Sequence, residues 1–277
     1  MTTEGALHYI ANAGAHTGTQ LLAVSGLVLA LAAVLWFLSQ GIRGMASSSV
    51  GMAYYYFVAP GVICHETGHA LGCILTGTKI VKFVPFHPTR DGTLGYVSHI
   101  EPERGLFGGI ALFLISTGPV WFGCAAILAM SFLVGGMGIL PDMHAFVPAG
   151  AAAHSGEYVS GVFLAAFQML RNAACVWNWR SPWIALYVYA TFCIASEITL
   201  SGSDMKGMWK GLVLIVLALF AVNMIPHASD WMEAWGARAR PGLFLVQAVL
   251  AFVLMLDCVF FAVAFVLSLL LGGAKRA

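Results

Sequence analysis

Long apolar runs separated by short polar stretches set the pattern of this chain. They cover residues about 19–40, 52–76, 106–134, 182–200, 208–225 and 243–271. A bilayer core is spanned by about 20 apolar residues in a helix rising ~1.5 Å per residue. Each run is therefore read as a transmembrane helix. The fold expected is an all-α polytopic membrane protein with about six transmembrane helices, forming one membrane domain over 1–277. The 135–181 region is read as extramembrane or interfacial. Within it, 156–174 is apolar enough to span but carries Gln168, Arg171 and Asn172, and is read as an interfacial amphipathic helix rather than a seventh span.

The 77–104 stretch has a different rhythm. Ile80, Val81, Phe83, Val84 and Phe86 are β-branched, aromatic or aliphatic. A turn signal follows at Pro88-Thr89-Arg90-Asp91-Gly92, and then a second β-rich arm over 93–100. This predicts a small β-hairpin at the membrane surface, with an arm whose backbone groups are open to pairing.

Composition excludes several function classes. Hydrophobic residues make up 60% of the 277 and charged residues only 9%, against about 25% charged in soluble domains. The mean hydropathy is +0.87. Thirteen Lys and Arg against twelve Asp and Glu leave a formal charge of +1, so no basic field exists to hold a nucleic acid. The six cysteines form no CxxC pair and read as buried thiols. The N-terminus lacks Lys or Arg ahead of its first apolar run, and that run is too long for a signal peptide.

Chemistry concentrates at His65-Glu66-Thr67-Gly68-His69, an HExxH pattern inside the second run. On a helix, positions i and i+4 share a face, so the two imidazoles can bind one Zn²⁺. Glu66 beside them is placed to act as general base on a zinc-bound water. Ionisable residues in a membrane helix are costly unless paired or coordinated, so they mark a functional site. A catalytic zinc usually has three protein ligands and an open position. Asp204 is the leading third ligand, because Ser201, Gly202 and Ser203 break the apolar pattern just before it. Glu197 is the alternative, and Asp257 reads as a hydrogen-bonded structural carboxyl.

The chain resembles the site-2 protease family of intramembrane zinc metalloproteases. HExxH (His65, Glu66, His69), Gly118-Pro119 in the next helix and a late Asp204 after a broken helix occur in the family's order, over about 52–225. The family often has Asn-x-x-Pro before an Asp-Gly pair; here Ser203-Asp204-Met205 lacks both the proline and the adjacent glycine. There is no room for a PDZ domain, so the resemblance is to a compact member. It implies one catalytic zinc on His65, His69 and Asp204, and hydrolysis of a peptide bond of membrane-anchored substrates in or next to the bilayer.

A substrate helix must unwind before cleavage. An extended segment could then pair with an edge strand supplied by Thr93, Gly95, Tyr96 and Val97. The partners expected are a membrane protein substrate with a transmembrane segment, the lipid bilayer and a regulatory membrane protein, with no nucleic acid. The alternatives are a catalytically silent scaffold and a zinc transporter. The intact Glu66 argues against the first, and the single compact motif against the second.

Depth and charge complete the reading. His65 comes about thirteen residues into its run, roughly 20 Å down. If 156–174 does not cross, the fourth run ends on the hairpin side and brings Asp204 to the same level. Lys79, Lys82, Arg90, Arg104, Lys206, Lys210, Lys275 and Arg276 then share the hairpin side, against Arg43, Arg171, Arg180, Arg238 and Arg240 opposite. The positive-inside rule makes the hairpin side cytoplasmic. His87 and His99 read as interfacial, His8, His16 and His227 as membrane-end residues, and His144 and His154 carry no assignment beyond a surface region. Trp177, Trp179, Trp183, Trp231 and Trp235 read as interface anchors, and Gly207 and Gly211 as a close helix contact.

Overall fold

The computed structural model describes residues 3–89, 92–101, 105–135, 138–146, 155–176 and 182–272. The readings of Arg90, Arg104, His154, Trp177, Trp179, Arg180, Lys275 and Arg276 lie outside these residues, as does the side chain of His144. In chain order the elements are α1 (Thr3–Leu21), a π-helical stretch (Leu22–Gly26), α2 (Leu27–Val50), α3 (Met52–Phe57), α4 (Ala59–Leu75), β1 (Ile80–Val84), β2 (Tyr96–His99), α5 (Leu106–Gly135), α6 (Met143–Phe146), α7 (Gly156–Val176), α8 (Pro182–Glu197), α9 (Gly202–Asn223) and α10 (Ala228–Gly272).

This is an all-α polytopic membrane protein carrying one two-stranded sheet. Among the described residues, five helical stretches are long and apolar enough to cross a bilayer: Thr3–Val50, Phe107–Val134, Gly156–Val176, Gly202–Asn223 and Asp230–Leu270. The set differs from the six runs in the sequence. The 52–76 run is cut at Val58, because Pro60 in the first turn of α4 has no N–H to carry α3 onward. That leaves α4 with 17 residues, and α8 has 16.

The largest correction concerns 156–174. Tyr158, Val162, Ala165, Ala166 and Met169 recur at helical spacing on one face of α7, and all are fully buried. They join Phe244 and Phe252 of α10 in the main core, where the Tyr158 hydroxyl donates to Gln247 Oε1 at 2.8 Å. By length and apolarity this helix is also one of the five candidate spans. Its polar Gln168 is accommodated at the edge of that face, accepting the Asp142 N–H at 3.1 Å.

Glycine contacts give the helix directions around the site. A Cβ on Gly68 would lie 2.7 Å from Gly118, and one on Gly72 would lie 2.7 Å from Ile115, so α4 and α5 are antiparallel. Gly207 faces Ser116, and Gly211 faces Gly109 and Phe113, so α9 is also antiparallel to α5. Gly61 abuts Cys193 and His65 meets Glu197, so α8 runs parallel to α4. Thus α8 and α9 run in the same direction. The 182–200 run heads toward the hairpin side, as expected, but stops at the level of His65, and α9 continues in the same direction instead of turning back as six spans would require.

The hairpin is real but shorter than its sequence pattern. β1 and β2 pair antiparallel, with Val84 opposite Tyr96, Phe83 opposite Val97 and Ile80 opposite His99. Residues 93–95 form the returning loop, tied by the His87 N–H to the Leu94 carbonyl (2.6 Å) and the Thr89 N–H to the Thr93 carbonyl (2.8 Å). Leu94 inserts into a second core cluster with Ile42, Tyr54, Val58 and Val62. That contact fixes the loop over α4.

Candidate metal centre

His65 and His69 lie one turn apart on α4, and their Nε2 atoms are 3.2 Å apart. Asp204, in the first turn of α9, places Oδ1 3.3 Å from His69 Nε2 and Oδ2 3.7 Å from His65 Nε2. Among the described residues this is the one group of three His, Cys, Asp or Glu side chains whose ligand atoms all lie within 4.8 Å of one another. Donor atoms bound to a tetrahedral Zn²⁺ at 2.0–2.1 Å lie about 3.3 Å apart. The 3.2 Å and 3.3 Å separations match that spacing, and the 3.7 Å separation, to the other Asp204 oxygen, is somewhat longer.

The backbone decides which ring nitrogens face the triangle. His65 Nδ1 lies 2.8 Å from the Glu197 carbonyl, and His69 Nδ1 lies 2.8 Å from the Ile115 carbonyl. A carbonyl only accepts, so each Nδ1 carries a proton, and in the neutral ring the Nε2 lone pair turns inward. In that form two lone pairs and a carboxylate converge. Such a set fits a divalent cation, and the outer hydrogen bonds are those that orient histidine ligands.

Asp204 is held by its own helix start. Ser201 caps α9: its hydroxyl accepts the Asp204 N–H at 3.3 Å, and Asp204 Oδ2 accepts the Ser201 N–H at 2.8 Å. This capping box starts α9. It has a second effect. The Ser201 N–H is the natural helical partner of the Glu197 carbonyl, four residues back. With that N–H turned to Asp204, the carbonyl is left to His65.

Glu197 is therefore not the alternative ligand. Its carboxylate pairs with Arg43 Nη2 of α2 at 2.8 Å, while its backbone carbonyl holds His65. Asp257 also departs from expectation, since it is fully buried and neither carboxyl oxygen has a hydrogen-bond partner among the described residues.

Glu66 is buried next to the triangle, in the wall of a cavity of about 540 Å³ that also contains His65, His69 and Asp204. Thr93, Gly95, Tyr96 and Val97 all line the same cavity, Thr93 and Gly95 from the loop and Tyr96 and Val97 from β2. Gly95 sits directly on Glu66: a Cβ there would lie 2.9 Å from Glu66 Cγ and 2.9 Å from the Val84 and Pro85 carbonyl oxygens. His99 reaches the cavity edge, whereas His87 does not line it.

Sequence reasoning missed Arg43 and the two orienting carbonyls. The capping box was legible as Ser201-x-x-Asp204. Arg43 gave no local signal, and a carbonyl carries no residue identity at all. No protein-family model, curated protein or solved structure matches this chain.

Proposed function

We propose that this protein is an intramembrane zinc metalloprotease of the site-2 protease type, hydrolysing a peptide bond of membrane-anchored substrates. The observation that carries the reading is the closure of the HExxH pair by Asp204 into a cluster whose ligand atoms all lie within 4.8 Å of one another, with Glu66 alongside, in a bundle of apolar helices. His65, His69 and Asp204 would hold the metal. Bound there, it supplies Lewis-acid activation of a water and of the scissile carbonyl. Hydrolysis breaks the C–N bond, puts the water's hydroxyl on the acyl carbon and its proton on the leaving nitrogen. Glu66 accepts that proton and delivers it to the amine.

The loop over the site supports an extended-substrate mode. Residues 93–97 run along the cavity beside Glu66, where an unwound segment can align with main chain as well as side chains. Lys79 and Lys82 on the hairpin arm favour a cytoplasmic hairpin side by the positive-inside rule.

The test has two parts. Purified wild type is expected to hold about one zinc per chain by mass spectrometry, lost in His65→Ala. Wild type co-reconstituted in vesicles with a mixture of single-span membrane proteins is expected to create new protein N-termini that Glu66→Gln does not create, although that variant keeps its zinc. Equal cleavage by Glu66→Gln refutes the base role, and a wild type without zinc after reloading refutes the metal centre.

A further inference from the structure

We infer that Pro119 is a positioning residue for the metal ligand His69, an inference that rests on the metal-centre reading above. In an α-helix the carbonyl of residue 115 accepts from the N–H of residue 119. Pro119 has no N–H, so α5 continues from Leu106 to Gly135 with the Ile115 carbonyl released from that bond. That carbonyl is the one His69 Nδ1 reaches, at 2.8 Å.

The neighbouring glycine makes the contact possible. Gly118 abuts Gly68, and a Cβ on Gly68 would lie 2.7 Å from Pro119 Cα. The two helices approach through their backbones, which brings a main-chain acceptor within reach of an imidazole. Glycine sets the approach, and proline frees the acceptor. His65 receives the same treatment by another route, since the Glu197 carbonyl ends α8 and its helical donor, the Ser201 N–H, is committed to Asp204. Both histidines are thus aimed by carbonyls withdrawn from helical bonding. For His69, a single side-chain ring performs the withdrawal.

The experiment restores the missing donor. Pro119→Ala and Pro119→Gly each return an N–H that competes for the Ile115 carbonyl. Alanine raises local helix propensity and glycine lowers it less than proline does, so the two variants differ in helix stability but share the restored donor. Zn²⁺ affinity of the full-length, metal-stripped protein in lipid nanodiscs is measured by competition with a chromophoric chelator, beside thermal unfolding of the same metal-free samples.

The expected result is a loss of Zn²⁺ affinity of about 10- to 100-fold in both variants, with metal-free unfolding of Pro119→Ala unchanged or raised. Wild-type affinity in either folded variant overturns the inference while leaving the metal centre standing. Affinity losses that track unfolding temperature, with Pro119→Ala intact and Pro119→Gly weakened, assign proline a structural role and also overturn it. A wild type that binds no Zn²⁺ overturns the metal centre and this inference together. Cleavage plays no part in the readout, so failure of the protease reading is scored separately.

Discussion

Arg43 Nη2 lies 2.8 Å from Glu197 Oε2, joining the C-terminal third of α2 to the last residue of α8. The residue so anchored is also the one whose carbonyl holds His65. An ion pair 154 positions apart in sequence thereby supports a proposed metal ligand, His65, on a third helix.

Removing Arg43 leaves the Glu197 carboxylate buried without its cation. Breaking a buried pair from one side costs about 3–5 kcal/mol, and the partial exposure of Arg43 into the cavity puts Arg43→Ala at about 3 kcal/mol. Adding Glu197→Gln removes the stranded charge and is expected to recover much of that loss. Chemical unfolding of both single variants and the double variant measures the coupling. Strictly additive losses would show that the pair contributes no energy of its own.

Asp204 caps α9 and is the proposed third ligand, and two substitutions separate these roles. Asp204→Asn keeps an oxygen to accept the Ser201 N–H but removes the negative charge. It is expected to fold with near wild-type stability and to lose most of its bound zinc. Ser201→Ala removes the cap hydroxyl and is expected to cost about 1 kcal/mol with zinc still bound. Metal content by mass spectrometry, read beside unfolding, checks both. Full zinc in Asp204→Asn would remove Asp204 from the ligand set.

Gly95 lies against Glu66, and a side chain there has no space. Gly95→Val is expected to displace Glu66 and abolish cleavage while leaving about one zinc per chain, since the atoms nearest a Cβ there are Glu66 Cγ and the Val84 and Pro85 carbonyl oxygens. Cleavage assays with parallel metal analysis test this. Wild-type cleavage by Gly95→Val would mean that Glu66 can move freely, and would weaken its assignment as the base.

Asp257 is a carboxyl fully buried in α10 with no hydrogen-bond partner among the described residues. Burying polar groups without partners costs free energy, and a neutral amide costs less than a group that can ionise. Asp257→Asn is expected to hold or raise the unfolding temperature and to leave zinc content unchanged. A clear fall in unfolding temperature would reveal an interaction of that carboxyl beyond its present neighbours.

Stability is also expected to follow metal. Ligands that bind only the folded state stabilise it by mass action. Added Zn²⁺ should raise the unfolding temperature of the metal-stripped wild type, and a chelator should reverse the rise. His65→Ala should not respond. The same response in His65→Ala would place the stabilising metal elsewhere.

What could be read from the sequence was local. Apolar runs long enough for a bilayer establish a membrane protein whatever the packing, because lipid leaves few other structures possible. HExxH places two imidazoles on one helix face through a repeat of 3.6 residues, and Ser201-x-x-Asp204 starts a helix through bonds that span three residues. The β-rich arms pair with each other because they are neighbours in the chain. The tertiary structure decided everything that depends on distant elements. It buried one face of α7 in the core, stopped α8 at the level of His65, brought Asp204 135 residues along the chain to the histidine pair, and set Gly95 on Glu66. Above all it chose the ring nitrogens that face the site, through the carbonyls of Ile115 and Glu197. Those acceptors are backbone atoms present in every residue, so their significance comes only from where the helices place them and from which N–H groups are missing or engaged elsewhere.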